Sequence, residues 1–198
     1  MSLNLEKQLR FYGAYHHNPV NIGIHTVCVP AILFATVVLF TNSPEVPLPS
    51  WLTIPHLPLN LASFFLVLYS TIYILMEPVA GAMLAPILVA ATAYANHLTS
   101  TYGSEANKWA GGVFLVSWIA QFVGHGKFEG RAPALLDNIA QAFLLAPFFV
   151  FFELLFAVGY RPELKKRVEK AVEEEIQKYR QKKGQAANGH ANGNGKSS

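Results

Sequence analysis

Long apolar stretches without a charged residue alternate with short polar breaks over most of the chain. Five of them stand out, over residues 24–41, 60–76, 78–95, 109–124 and 138–152. A helix needs about 20 apolar residues to cross a bilayer, with roughly 17 as the lower limit, so the first stretch is long enough alone. The second and third meet at Glu77 and Pro78, which predicts a tight helical hairpin. The pattern predicts an all-α, polytopic helical membrane protein with four to five hydrophobic helices.

The charged residues are concentrated near the C-terminus. Only 14% of the 198 residues are charged, against about 25% in an ordinary soluble domain. The 23 residues from Arg161 to Lys183 hold fourteen of those charges. The net charge of +3 therefore describes this segment, and it gives no reason to expect a nucleic-acid partner. We expect a membrane-embedded domain over residues 1–160, a charged cytosolic helix over 161–183 and a disordered tail over 184–198.

The same charges indicate a topology. Lys7 and Arg10 at one end and the basic segment at the other favour the cytosolic side for both termini. Two cytosolic termini require an even number of crossings, so one of the five stretches is expected to be re-entrant or interfacial, and the sequence leaves open which. Residues 1–10 lack the apolar core of a cleaved signal peptide, so the first span would serve as the targeting signal.

Histidines at the edges of the apolar stretches are the main candidates for chemistry. Of the seven histidines, His190 lies in the tail and His56 in a proline-rich loop, and neither is expected to act. The others lie at the end of an apolar stretch or within one: His16, His17, His25, His97 and His125. An ionisable side chain at membrane depth is costly and usually faces the bundle interior. A single histidine there could be a neutral imidazole that is hydrogen-bonded to a backbone carbonyl. Four histidines on separate segments favour one bound group that all of them contact.

The neighbours of these histidines favour a transition metal as that ligand. Gln121 and Glu129 each lie four residues from His125, on the same helix face if the helix continues. Amides or carboxylates beside a metal-bound imidazole commonly orient it, and imidazole suits Zn, Cu, Fe or Ni rather than Mg or Ca. A di-iron site of the membrane desaturase type is disfavoured because no HxxHH motif occurs. A bis-histidine haem would leave the other histidines unexplained.

Three segments together resemble a known family. They are FYGAYHHNPVNIGIHTVCVP, the short ANHL, and WIAQFVGHGKFEGRAPALLDNIAQAFLLAPFFVFFELL, and they resemble the 2-hydroxy fatty acid dioxygenases of the endoplasmic reticulum membrane over about residues 3–160. The resemblance implies an iron(II) enzyme that uses O2 to convert a long-chain 2-hydroxy fatty acid to the acid one carbon shorter, with release of CO2, in phytosphingosine breakdown. It also implies that His17, His25, His97 and His125 bind the Fe(2+).

The chemistry of such a site suggests roles for further residues, and the resemblance implies partners. Glu129 is the only nearby carboxylate that could replace a histidine as a ligand, and we expect it to support a ligand histidine from outside the metal shell. Arg131 and Lys127 are candidates to hold the substrate carboxylate, although snorkelling at the membrane interface explains them equally well. The expected partners are the fatty acid, O2 and membrane lipid, and no oligomeric state is predicted. The alternative is a non-catalytic membrane carrier of haem or metal, or a lipid-binding scaffold.

Overall fold

The computed structural model describes residues 3–130, 132 and 139–193, and most of them are helical. One isolated antiparallel bridge joins Val46 to Leu59, and the all-α prediction is confirmed. Two short elements accompany the α-helices: a 3-10 turn at Ser50–Leu52 and a π-helical turn at Gly124–Glu129. The α-helices are α1 (Leu5–Tyr15), α2 (Pro19–Phe40), α3 (Leu61–Met76), α4 (Pro78–Tyr102), α5 (Ser104–Val123), α6 (Ile139–Ala157) and α7 (Pro162–Gly193).

Polar caps and prolines set the beginnings of the membrane helices. The Asn18 side chain accepts a hydrogen bond from the Val20 amide at 2.9 Å, and Pro19 occupies the first turn of α2. Glu77 does the same for α4, accepting from the Ala80 amide, and Pro78 follows it. Proline suits the first helical turn because its missing N–H would have no partner there. The predicted hairpin at Glu77 and Pro78 is therefore present.

The two helices of this hairpin pack closely, and Gly81 allows it. A Cβ at Gly81 would lie 2.5 Å from the backbone nitrogen of Ile74, a distance that no side chain can occupy. Tyr73, on the same stretch of α3, is fully buried and stacks on Phe148 of α6 with ring centroids 4.5 Å apart. The α3–α4 hairpin is thereby fixed to α6.

Helix α2 is the centre of the bundle, since it packs against α3, α4, α5 and α6. It runs antiparallel to α5. At one end Asn42 and Asn107 exchange side-chain hydrogen bonds of 2.9 Å, and at the other Asn21 contacts the π-helical turn that follows α5. The N-terminal end of α2 and the C-terminal end of α5 therefore meet at one end of the molecule.

Within the part of the chain that the structure describes, two helices, α2 and α4, are each long and apolar enough to cross a membrane. A third span is added if α6 and α7, which are bent by 117°, count as one. α3 is apolar but shorter. The number of crossings and the cytosolic placement of the termini stay predictions.

The charged C-terminal segment forms α7, which packs on α1. Glu6 accepts from Arg167 at 3.1 Å. α7 covers the predicted cytosolic helix and continues to Gly193, into the segment whose composition predicts disorder. The division at residues 160 and 183 stays a prediction.

Candidate metal centre

Three histidines from three separate segments meet inside the bundle. His16 follows α1, His25 lies in the first half of α2, and His125 lies on the π-helical turn. The ring centroids are 4.4 Å apart for His16 and His25, 4.8 Å for His16 and His125, and 4.9 Å for His25 and His125. One ligand nitrogen of each ring lies within 4.8 Å of the others, and all three residues are buried. This spacing allows three imidazoles to bind one ion.

Backbone carbonyls orient two of the three rings. The Nδ1 of His16 lies 3.0 Å from the carbonyl oxygen of Tyr12, and the Nδ1 of His25 lies 3.0 Å from that of Asn21. In the tautomer that donates from Nδ1, the Nε2 of each ring keeps its lone pair for a metal. The Tyr12 ring also stacks on His16 with centroids 4.2 Å apart. These two imidazoles are thus held ready as ligands.

The third ring has an unmatched nitrogen. The Nδ1 of His125 is buried and finds no hydrogen-bond partner among the residues that the structure describes. Burial lowers the pKa of His125 to about 4 and the pKa of His16 well below its ordinary value. Both rings are therefore neutral at pH 7, which is the form that binds a metal.

Glu129 fixes the position of the π-helical turn against the start of α2. One carboxylate oxygen accepts from the His17 amide at 2.6 Å, from the Asn18 amide at 2.8 Å and from the Asn21 side-chain amide at 3.2 Å. A carboxylate at a helix N-terminus is also favoured by the helix dipole. Because His125 lies on this turn, these three bonds hold it opposite His16 and His25.

Gly124 permits the same close approach. A Cβ at this position would collide with the side-chain oxygen of Asn21, so only glycine lets the turn lie this near α2. π-helical turns in general are rare and often found at functional sites. The π-helical turn and the start of α2 therefore pack closely against each other.

The structure brings together two of the four histidines predicted as ligands, His25 and His125, and leaves the other two outside. His17 is exposed, with its backbone amide on Glu129, and its neighbour His16 lies in the cluster. His16 continues directly from α1, where Tyr12 lies one turn before it. The sequence signal that could have favoured His16 over His17 was the aromatic residue Tyr12, four positions before His16.

His97 lies at the opposite end of the bundle. Two residues after it, Thr99 accepts a 2.9 Å hydrogen bond from Thr41 at the end of α2. Sixteen positions separate Thr41 from His25, about 24 Å along a helix at 1.5 Å per residue. His97 is exposed there and contacts His56, with ring centroids 5.2 Å apart. The predicted residue Arg131 lies outside the described residues.

An apolar cavity of about 490 Å³ begins at the histidine cluster. Its walls come from α1, α2, α5 and α6, with Tyr69 of α3. Along α2 the lining residues follow one helix face from the cluster towards the far end of the bundle: His25, Val29, Ile32, Leu33 and Thr36. The cavity is therefore elongated and almost entirely hydrocarbon, with its three histidines at one end.

Comparisons with known proteins show the family to which the chain belongs. A family model described as 2-hydroxy-palmitic acid dioxygenase Mpo1-like matches residues 2–158, which include the whole histidine cluster. The 2-hydroxy-palmitic acid dioxygenase MPO1 of Saccharomyces cerevisiae is 38% identical over 165 residues, covering 82% of this chain and 86% of the yeast protein. No solved structure matches the chain significantly. The resemblance drawn from the sequence motifs is confirmed, and the chain belongs to the Mpo1-like 2-hydroxy-palmitic acid dioxygenase family.

Proposed function

We propose that the protein is an iron(II)-dependent dioxygenase that shortens long-chain 2-hydroxy fatty acids by one carbon. The observation that carries this proposal is the placement of three buried imidazoles at one end of an elongated apolar cavity. The family and the yeast relative, which is named a 2-hydroxy-palmitic acid dioxygenase, support the substrate class. In the overall reaction one O2 converts the 2-hydroxy acid to the shorter acid, CO2 and water.

His16, His25 and His125 would hold the iron. They are neutral donors of a type that suits iron. The Nδ1 of His125 has no hydrogen-bond partner among the described residues, which fits a site that an ion would complete. Iron(II), when bound, supplies the chemistry with O2 that side chains lack. Three protein ligands rather than four leave positions for other donors, so neither His17 nor His97 is needed in this set.

The protein's own residues have three tasks in this proposal. The cavity walls enclose the acyl chain and exclude water from the reacting end. Tyr12 and Asn21 fix the His16 and His25 rings through their backbone carbonyls. Glu129 would position the turn that carries His125 through its hydrogen bonds to the start of α2. The predicted role of Arg131, binding the substrate carboxylate, remains a proposal.

The proposal includes a cellular setting, which the family likeness and the apolar helices support. We place the protein in the endoplasmic reticulum membrane, with both termini cytosolic, acting on 2-hydroxy acids released by sphingolipid breakdown. A fatty acid partitions into the bilayer, so an apolar cavity between membrane helices can receive it without passage through water.

The test is metal analysis and turnover on one preparation purified without added metal. We expect about one iron per chain, no Soret band, and O2 consumption on addition of 2-hydroxypalmitate with pentadecanoic acid as the product. A Soret band without turnover would instead support the haem carrier. Stoichiometric iron without any O2 consumption would support a non-catalytic metal-binding protein.

A further inference from the structure

Three side chains in the cavity wall hold polar atoms that have no hydrogen-bond partner among the described residues. The Tyr12 hydroxyl, the Trp118 indole nitrogen and the Gln121 amide nitrogen are all buried and make no hydrogen bond within the described part of the chain. All three residues line the cavity that begins at the histidine cluster. A buried donor without an acceptor is unfavourable by an amount comparable to a lost hydrogen bond. Three such donors around one cavity indicate a missing polar ligand.

Two of these donors lie close to the histidine cluster. Gln121 is four residues before His125, and Tyr12 is four residues before His16, so each is one helical turn from a cluster histidine. The Tyr12 ring is in direct contact with the His16 ring. Trp118 lies farther along α5, about 10 Å from His125 at 1.5 Å per residue. The donors at the cluster end are therefore Gln121 and Tyr12, and the α2 residues that line the cavity beyond His25 are mostly apolar.

We propose that the Gln121 amide and the Tyr12 hydroxyl bind the polar end of the fatty acid, its carboxylate and 2-hydroxyl oxygens. The acyl chain then extends away from the cluster along Val29, Leu33 and Thr36 of α2. Both groups are neutral donors, which fits a buried site where a charged side chain would be costly, and a carboxylate is the acceptor that neutral donors bind most strongly. The inference rests on the proposed function only in taking the ligand to be the fatty acid.

The experiment measures ligand binding to the metal-free protein, so it does not depend on turnover. Wild-type protein treated with a chelator is titrated with 2-hydroxypalmitate and with hexadecane, each displacing a fluorescent acyl probe. Gln121→Met and Tyr12→Phe remove one donor each and keep the size of the side chain. Thr26→Val is the matched control, because Thr26 lies on α2 outside the cavity lining and its hydroxyl donates to the Ile22 carbonyl.

Each variant is expected to weaken 2-hydroxypalmitate binding by about tenfold or more, as loss of a hydrogen bond to a charged acceptor predicts. Hexadecane affinity should change less than about twofold, and Thr26→Val should alter the affinity for neither ligand. Unchanged binding of 2-hydroxypalmitate in both variants would overturn the inference. So would equal weakening of both ligands, since that indicates a damaged cavity. Wild-type protein that fails to bind 2-hydroxypalmitate would instead count against the proposed function.

Discussion

Replacing Glu129 tests how the metal centre is held together. One oxygen of this carboxylate accepts three hydrogen bonds from the start of α2, at 2.6, 2.8 and 3.2 Å. The site is only partly buried, so water can satisfy some of these donors, and about 1 kcal/mol per bond is a suitable discounted value. Glu129→Ala should therefore weaken the attachment of the π-helical turn by about 2–3 kcal/mol, with Glu129→Gln losing less because it keeps an acceptor oxygen.

The weaker attachment of the π-helical turn should affect metal binding by His125, which lies on that turn. A cost of about 2 kcal/mol corresponds to roughly 30-fold, within the range usual for groups that support a metal ligand from outside. The assay is iron affinity and turnover of Glu129→Ala beside Glu105→Gln, which alters an exposed carboxylate paired with Lys108 on α5. We expect Glu129→Ala to have a lower iron affinity or a lower rate than the wild type. Glu105→Gln should match the wild type in both. Wild-type iron affinity and rate in Glu129→Ala would refute the positioning role.

Two further substitutions test the packing of the turn and the use of the cavity. Gly124→Ala should drive a methyl group into Asn21 and lower the free energy of unfolding by about 1–3 kcal/mol, measured by thermal unfolding. Gly126→Ala is the control on the same turn, because a methyl group there meets no atom within 4 Å and should be tolerated. Val29→Phe should fill the cavity beside the cluster and shift turnover towards shorter 2-hydroxy acids, whereas Val27→Phe, 70% exposed on the outer face of α2, should leave chain-length preference unchanged.

The helices were predictable because their signal is local. Uncharged apolar runs, the Glu77–Pro78 junction and the charged C-terminal segment each specify their structure over a few neighbouring residues, and each is found as a helix or a helix boundary. His25 and His125, which the structure brings into one cluster, were candidates for the same reason, since each is a polar residue at the edge of an apolar run. Glu129 was a candidate because of its four-residue spacing from His125.

The choice of ligands depended on geometry that the sequence does not contain. Whether His16 or His17 faces the interior is decided by where α1 ends, because successive side chains on a helix point about 100° apart. His97 was grouped with the others by resemblance, but α4 presents it beside the C-terminal end of α2. The cavity donors Tyr12 and Gln121 were hidden among apolar neighbours, because only the folded bundle shows that they lack a partner.

The most direct test of the metal centre compares the iron content of four proteins purified side by side. They are the wild type, His16→Ala, His17→Ala and His97→Ala, with helical content measured by circular dichroism as the folding control. We predict that His16→Ala loses its iron, because it removes one of three converging imidazoles, and that His17→Ala and His97→Ala keep about as much as the wild type. Full iron in His16→Ala, together with loss of iron in His17→Ala or His97→Ala, would contradict the assignment.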